Sequence, residues 1–256
     1  MEIIKPRRLQ KGDTVGIVSP SEYIPEKLRA ECDLAREALE ELDLKVKMGV
    51  HALDRHFYNA GAREARLEDF RTLWRDPEVK MILMSQGGDT ANHLLDGIDY
   101  DMIRRDPKIF AGFSDGTTLV NAIFAKAKLV TYYGPSFLWG FSRPMSALFV
   151  DNFKKTFFDG NVGELQPNPY WRHEKKEGLT HPGWRGVRSG RASGILNGRA
   201  LGVSSHGYAR RIRPGFPRRD IIFGRHGADY ETRPPVYRVS PQRRTCEDQG
   251  SHYRLF

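Results

Sequence analysis

Residues 108–134, KIFAGFSDGTTLVNAIFAKAKLVTYYG, decide the fold. Lys108–Gly112 is a short apolar run that ends at a glycine, which predicts a buried strand. The next four residues, Phe113–Gly116, turn the chain. Thr117–Ala127 then continues with the apolar spacing of a helix. The stretch therefore predicts a strand, a tight turn and a helix.

Ser114 lies at the predicted corner and is a candidate nucleophile. A serine at such a turn projects its hydroxyl from the sheet edge, and the N–H groups that open the following helix point toward negative charge that develops beside it. The alternative is that Ser114 or Asp115 only caps the helix, as small polar residues at helix starts often do. The local sequence alone favours the cap.

A second turn strengthens the catalytic interpretation. Val79–Met84 is another predicted strand, and it runs into Ser85-Gln86-Gly87-Gly88-Asp89-Thr90 before a predicted helix through Leu94 and Leu95. Successive parallel strands deliver their following turns to the same sheet edge, where open α/β sheets place their sites. Gly87 and Gly88 would let a backbone N–H approach an oxyanion closely, although they also suit a plain strand-to-helix turn.

Several separate motifs occur in one order along the chain. They are Lys11-Gly12-Asp13-Thr14, the Gly87-Gly88 turn, LDGIDY at 95–100, Pro107-Lys108-Ile109, Gly112-Phe113-Ser114-Asp115 and Tyr133-Gly134-Pro135. With these motifs the sequence resembles the LD-carboxypeptidase and microcin-immunity family of serine peptidases over about residues 3–202. An ordered set of motifs is far more specific than one serine turn.

The resemblance implies both an activity and roles for residues. It implies a Ser–Glu–His triad with Ser114 as the nucleophile, an oxyanion hole formed by the backbone N–H groups of Asp115 and Gly88, and substrate contacts at Gly87 and Asp89. The implied reaction removes the C-terminal residue of a murein tetrapeptide or cleaves the amide of a toxic peptidyl-nucleotide. No cofactor or metal is implied, and a homodimer is expected.

Composition restricts the class of protein. The 256 residues, 39% hydrophobic and 29% charged, suit one large or two modest globular domains. The sequence contains no run of about 18 apolar residues, and the basic N-terminus is not followed by the apolar region of a signal peptide. Two cysteines, Cys32 and Cys246, make no disulfide framework, so we expect a reduced cytoplasmic setting.

We predict an α/β fold in which residues 1–158 form a parallel-sheet domain that carries the nucleophile, 159–193 a linker and 194–256 the remnant of a C-terminal domain. The remaining predicted elements are strands at 14–19, 45–50 and 129–133 and helices at 25–42, 62–74 and 144–157. The aromatic residues of 137–158 are expected mainly in the core, with lining of a peptide-binding cleft as the alternative. The strand and turn at 194–202 resemble the start of the family's second domain.

His51 and His56 occur in a polar loop with Asp54 between them, and these three residue types could in principle bind a metal. Their neighbours supply no further close ligand set and no cysteine. We therefore predict a solvated loop and assign no metal.

The chain departs from the family pattern after about residue 202. Residues 203–256 hold 11 arginines, no lysine and 5 acidic residues, which accounts for most of the net charge of +9. No helical period is present, and Ile221-Ile222-Phe223 stands where the family has a glutamate-bearing strand. We expect a truncated or frame-shifted, poorly ordered C-terminal domain, and we hypothesise that residues from about 203 are a frame-shifted translation of the family's second domain. Back-translation of 223–226 with a shift of one base permits Leu-Glu-Asp.

The glutamate and histidine of the triad cannot be identified in the sequence, and this bears on the expected activity. No histidine among His173, His181, His206, His226 and His252 matches the family position, and neither Glu231 nor Glu247 is assignable as the orienting acid. We therefore expect a peptidase by descent whose activity is impaired. The alternatives are a noncatalytic peptide- or nucleotide-binding module, or nucleic-acid binding through the arginine-rich tail, which the near-neutral first 202 residues make the weaker interpretation.

Overall fold

The computed structural model describes residues 2–161, 163, 198–200, 222–224 and 238–239. The strands of the N-terminal part are β1 Thr14–Val18, β2 Lys45–Met48, β3 Arg55–His56, β4 Asn59–Ala60, β5 Val79–Met84, β6 Ile109–Gly112 and β7 Tyr132–Tyr133. The helices are α1 Arg29–Glu40, α2 Arg63–Arg75, α3 Tyr100–Arg105, α4 Thr117–Ala127, α5 Phe137–Phe141 and α6 Ala147–Phe157. Short 3-10 helices occur at Glu26–Leu28, Ala91–Gly97 and Ser114–Gly116.

Five strands form one parallel sheet in the order β2-β1-β5-β6-β7. The chain moves outward from β1 to β2 and then crosses back to add β5, β6 and β7 on the other side. The strand order therefore reverses between β1 and β5, and the carboxyl ends of the strands there open a crevice. The turns that follow β1, β5 and β6 all lie at this edge.

Alternating strand residues face two separate cores. Ile82 and Met84 pack on the side of α2, α3 and α4, whereas Met81 and Leu83 pack on the side of α1, α5 and α6. Trp74 of α2 is fully buried on the first side. Helices on both faces explain why β5 is an almost uninterrupted apolar run rather than an alternating one.

The α/β fold predicted from the sequence is confirmed. The decisive stretch forms a strand, a turn and a helix, and α4 spans the predicted Thr117–Ala127 without adjustment at either end. The predicted strand Val79–Met84 is likewise reproduced. These elements agree because periodicity and glycine punctuation both mark their boundaries.

Four elements differ from prediction. The segment after the Gly87-Gly88 turn is a 3-10 helix rather than an α-helix, as is common for short segments. The loop at 51–61 contains the antiparallel hairpin of β3 and β4. The predicted strand at 129–133 shrinks to Tyr132–Tyr133, while Leu129 bridges to Ile4. Helix α5 escaped prediction because it has only five residues and contains Gly140.

The aromatic segment after Pro135 belongs mainly to the second core, as expected. Phe137 and Phe141 of α5 are buried together with Phe153 and Phe157 of α6. Phe141 and Phe153 meet edge to face, with ring centroids 5.5 Å apart. Trp139 is the exception in α5, since 55% of its surface is exposed.

Three short strands beyond the first domain form a second sheet. They are β8 Gly198–Ala200, β9 Ile222–Gly224 and β10 Arg238–Val239, with β9 parallel to β8 and antiparallel to β10. The predicted start of a second domain thus contains a strand, and the run at 221–223 contributes a strand as well. The expected linker at 159–193 and the rest of the tail lie almost wholly outside the described residues. Within the described part of the chain, none of the helices combines the length and apolar character needed to cross a membrane.

Candidate active site

Ser114 forms the corner between β6 and α4. Phe113 before it is fully extended, and Ser114 itself adopts a left-handed backbone with φ of 55°. The chain then closes a 3-10 turn in which Gly116 N–H donates to the Phe113 carbonyl at 2.9 Å. Left-handed backbone is costly for a residue with a Cβ and is typical of functional corners. The Ser114 side chain is half-exposed at the sheet edge.

Two glycines flank Ser114 and let the corner pack tightly on β5. A Cβ on Gly112 would lie 2.5 Å from the Met84 sulfur, and one on Gly116 would overlap the same atom. The resulting pattern, Gly112-Phe113-Ser114-Asp115-Gly116, is the Gly-X-Ser-X-Gly spacing of a nucleophile elbow. All five residues of this spacing can be read from the sequence, and Gly116 is the member that the four-residue motif Gly112–Asp115 leaves out.

The Gly87-Gly88 turn lies against the same corner. A Cβ on Gly87 would stand 3.2 Å from Ser114 Oγ, so the missing side chain leaves open the space over the hydroxyl. Gly88 has φ of 140°, and a Cβ there would overlap the Ser21 side chain. The two turns predicted to share a sheet edge are therefore in contact. Asp89, the next residue, is exposed at the rim.

Acidic groups dominate the electrostatics of this edge. The carboxyl group of Asp115 is buried, with 3% of the residue exposed, and its Oδ2 accepts a hydrogen bond from Ala91 N–H at 2.8 Å. Burial raises the pKa of Asp115 above its ordinary value, and the hydrogen bond from Ala91 N–H opposes that rise. Burial, followed by the charges of Asp89 and Asp115, also raises the pKa of Glu22.

An apolar pocket of about 290 Å³ opens beside the corner. Its lining combines aromatic rings with the turn that follows β7, namely Phe113, Tyr133, Gly134, Pro135, Ser136 and Trp139. Arg143 lies 6.0 Å from the centre of the Trp139 ring. Trp139 thus lines a pocket, and a role of this residue in peptide binding stays a prediction.

Comparison with known proteins gives a consistent result. Residues 15–134 match the N-terminal domain of the LD-carboxypeptidases. The chain is 46% identical over 132 residues to a probable murein peptide carboxypeptidase of Bacillus subtilis, covering 51% of this chain and 40% of that protein. It is 34% identical over 151 residues to the microcin C7 self-immunity protein MccF of Escherichia coli, covering 57% and 43%.

A solved structure agrees with the sequence matches. The MccF-like protein from Bacillus anthracis superimposes with a TM-score of 0.75 at 29% identity, over 86% of this chain and 68% of that one. Residues 15–134 belong to the LD-carboxypeptidase family. The resemblance inferred from ordered motifs is thereby confirmed. The chain aligns with only 40%, 59% and 52% of the lengths of three curated carboxypeptidase relatives.

The individual roles that the LD-carboxypeptidase resemblance implies stay predictions. The structure brings Ser114, the Asp115 backbone, Gly87 and Gly88 together at one edge, with Asp89 beside them. The triad glutamate and histidine remain unassigned, because the five candidate histidines of the C-terminal part, together with Glu231 and Glu247, lie outside the described residues.

A histidine and carboxylate pair does occur elsewhere in the LD-carboxypeptidase domain. His51 Nδ1 lies 2.9 Å from Asp69 Oδ1, and the His51 backbone N–H donates to Asp69 Oδ2 at 2.9 Å. His51 follows the outer strand β2, Asp69 lies in helix α2, and their mutual hydrogen bonds do not involve Ser114. Among the described residues no group of three potential ligands could hold a metal ion around His51, His56 or any other site. Sequence reasoning missed this pair because its members are 18 residues apart.

Proposed function

We propose that this chain carries the nucleophile domain of a cytoplasmic serine carboxypeptidase of the LD-carboxypeptidase type. Its substrate would be a murein tetrapeptide, from which it removes the C-terminal residue, or a related peptidyl-nucleotide, whose amide bond it cleaves. The single observation that carries the proposal is the left-handed Ser114 corner, with the Gly87-Gly88 turn packed against it.

The proposed reaction follows from this geometry. Ser114 Oγ attacks the scissile carbonyl carbon, and in the mechanism that the family implies a histidine takes the hydroxyl proton. The carbonyl oxygen becomes negatively charged and accepts hydrogen bonds from the Asp115 and Gly88 N–H groups. Collapse of the tetrahedral intermediate expels the C-terminal amine, which takes the proton from the histidine. Water then hydrolyses the acyl-enzyme and restores Ser114.

The impaired activity expected from the sequence is part of the proposal. A serine without a general base is a poor nucleophile at neutral pH. Loss of triad partners typically lowers the rate by about 10⁴- to 10⁶-fold. Since the chain from 203 onward lacks recognisable partners for Ser114, we expect turnover near the detection limit.

The proposed frame shift in the tail has its own test. Sequencing the gene across codons 195–230 decides it, because an uninterrupted reading frame would exclude a frame shift.

A turnover assay tests the activity directly. The full 256-residue chain is incubated with a murein tetrapeptide and, separately, with a peptidyl sulfamoyl nucleotide, and products are quantified by mass spectrometry. Slow release of the C-terminal residue, lost in Ser114→Ala, supports the peptidase. Fast turnover that depends on Ser114 would support the peptidase and disprove impairment. Turnover that persists in Ser114→Ala would overturn the assignment of the nucleophile.

A noncatalytic binding module is the second candidate, and the aromatic pocket at Phe113 and Trp139 favours it. An apolar pocket beside a corner can retain affinity for a peptide or nucleotide after catalysis is lost. Isothermal titration with the same two substrates distinguishes the candidates. Affinity that survives Ser114→Ala without hydrolysis, and that falls in Trp139→Ala, would favour the module.

A further inference from the structure

We propose that the Asp115 carboxylate is a positioning residue that fixes the Gly87-Gly88 turn relative to Ser114. The inference rests on the proposed function, because the turn is held where the Gly88 N–H can serve an oxyanion. In this view Asp115 acts twice: its backbone N–H is one predicted oxyanion donor, and its side chain places the other.

The first link runs from the corner to the segment after the turn. Asp115 Oδ2 accepts a hydrogen bond from Ala91 N–H at 2.8 Å, and Ala91 lies three residues beyond Gly88. The bond is buried, since Ala91 is fully buried and Asp115 is 3% exposed. A charge-assisted hydrogen bond in such surroundings is stronger than a neutral one. It therefore ties the turn after β5 to the turn after β6.

The second link holds the other side of the turn. Ser21 follows β1 and is fully buried, and its Oγ accepts a hydrogen bond from Thr90 N–H at 2.9 Å. Gly88 packs so closely on Ser21 that a Cβ on Gly88 would overlap the hydroxyl. Glu22 N–H approaches the Gly87 carbonyl at 3.4 Å. The turn is thus clamped between the ends of β1 and β6.

Arg66 of α2 completes the arrangement beneath the turn. Its Nη1 donates to the Pro20 carbonyl at 2.7 Å and to Thr90 Oγ1 at 3.0 Å, and the residue is only 4% exposed. Thr90 Oγ1 also bonds to Asn59 of the hairpin. Arg66 and Asp115 form no direct ion pair among the described residues. The negative charge of Asp115 nevertheless favours the charged form of Arg66 and opposes the effect of burial, which lowers the pKa of Arg66.

The position of the turn matters because oxyanion stabilisation depends on distance. Donors must lie about 2.7 to 3.1 Å from the developing negative oxygen. A displacement of about 1 Å can cost roughly 10²-fold in rate. Asp115 is the only member of this cluster that belongs to the same turn as Ser114, and its side chain therefore couples the two turns most directly.

Amide NMR of the full chain tests the clamp without requiring turnover. Asp115→Asn keeps one acceptor oxygen, Asp115→Ala removes both, and Asp101→Asn deletes an exposed carboxylate in α3 as the matched control. We expect the Ala91 and Gly88 amide resonances to move and the Ala91 amide, which loses its acceptor, to exchange faster, more in Asp115→Ala than in Asp115→Asn. In the wild-type chain the amide resonances of Ala91 and Gly88 should change together on acid titration, with one midpoint, because both report protonation of Asp115.

Glu22, Asp89 and Arg66 are the charged groups that interact with Asp115. Glu22→Gln is therefore titrated in parallel, and the same joint change of the Ala91 and Gly88 resonances should persist in it.

Labelling of Ser114 with an alkyl fluorophosphonate links the clamp to reactivity. The serine oxygen displaces fluoride at phosphorus, and the rate of adduct formation is followed by intact mass over long incubations. We expect Asp115→Ala to lower the maximal labelling rate by roughly 10²-fold while the concentration for half-maximal rate changes little. Asp115→Asn should recover part of the loss.

The outcomes separate the clamp from the proposed function. An unlabelled wild-type Ser114 would show that the hydroxyl is not activated, which agrees with full loss of the triad partners, whereas the NMR result still decides the clamp. Unchanged Gly88 resonances together with unchanged exchange of the Ala91 amide in both Asp115 variants would overturn the clamp even if labelling slows. If Asp115→Ala fails to fold, Asp115→Asn carries the comparison, since it preserves size and one hydrogen bond.

Discussion

Gly87 lies directly against Ser114: a Cβ on the glycine would stand 3.2 Å from both Cβ and Oγ of the serine. Two turns separated by more than twenty residues thus leave a gap above the hydroxyl that is slightly too small for a methyl group. The gap exists because Gly87 carries no side chain, while the missing side chain of Gly88 lets the same turn pack on Ser21. The geometry of the site therefore depends on the missing side chain of Gly87 as much as on Ser114 itself.

Gly88→Ala should be the most destabilising alanine substitution in this turn. A side chain at φ of 140° is strained, and its Cβ would overlap buried Ser21. We expect the free energy of unfolding to fall by about 2 to 4 kcal/mol in urea denaturation. Gly134→Ala is the control, because a Cβ there meets nothing within 4 Å. Equal stability of the two variants would show that the turn relaxes at little cost.

Ser114→Gly should yield a more stable protein than Ser114→Ala. Glycine adopts the left-handed backbone without the penalty of about 1 to 2 kcal/mol that a Cβ incurs. Its greater unfolded-state entropy offsets part of this gain, by about 0.5 to 1 kcal/mol. We expect a net difference of roughly 0.5 to 1 kcal/mol in urea denaturation.

Lys128 calibrates that comparison, since it also has a positive φ, of 57°, at the end of α4. The pair Lys128→Gly and Lys128→Ala should differ in the same direction. If the Lys128 pair differs and the Ser114 pair does not, the corner is relaxed around its serine, and the backbone provides no evidence of a strained nucleophile.

Much of this fold was predictable because its signals are local. The strands β5 and β6 are short apolar runs ended by polar or glycine turns, and α4 has a clear helical period. The contact between the Gly87 and Ser114 turns followed from a topological rule, since parallel strands bring their carboxyl ends to one edge.

The contacts that hold the site together were not predictable in the same way. Asp115 with Ala91, and His51 with Asp69, are hydrogen bonds between residues that lie 24 and 18 positions apart. No periodicity encodes such pairs, because they depend on how helices settle on the sheet. From the sequence Asp115 was expected to act through its backbone N–H, and the burial of its carboxyl group emerged only from the structure.

Stability should depend on pH through Asp115. Its raised pKa means that the folded chain holds this proton more tightly than the unfolded chain does. Between the ordinary pKa of 3.8 and the raised folded value, the unfolded state therefore binds fewer protons, and stability falls as pH rises. The contribution of the Asp115 proton to the free energy of unfolding is fully present below pH 3.8 and is lost as the pH rises through the raised pKa of the folded chain.

The variant Asp115→Asn isolates this effect. The free energy of unfolding of the wild type minus that of Asp115→Asn should decrease as pH rises through the window and then level off. Urea denaturation from pH 3 to pH 8 measures it, with Asp101→Asn as a variant that lacks an exposed carboxylate instead. A difference that increases with pH would mean that hydrogen bonds to the carboxylate outweigh its burial.

The pair of His51 and Asp69 should stabilise the outer edge of the sheet rather than take part in catalysis. Asp69 is 5% exposed and accepts hydrogen bonds from both the backbone N–H and the Nδ1 atom of His51. Asp69→Ala leaves both donors without this acceptor and should cost about 1 to 3 kcal/mol. His51→Ala keeps the backbone bond and should cost about 1 kcal/mol. His56→Ala, at an exposed strand position, should stay within about 0.5 kcal/mol of wild type.

Urea denaturation of the three variants measures this order of stability, and labelling of Ser114 should proceed at the wild-type rate in all three. A selective loss of labelling in His51→Ala would instead connect this pair to the chemistry at the corner.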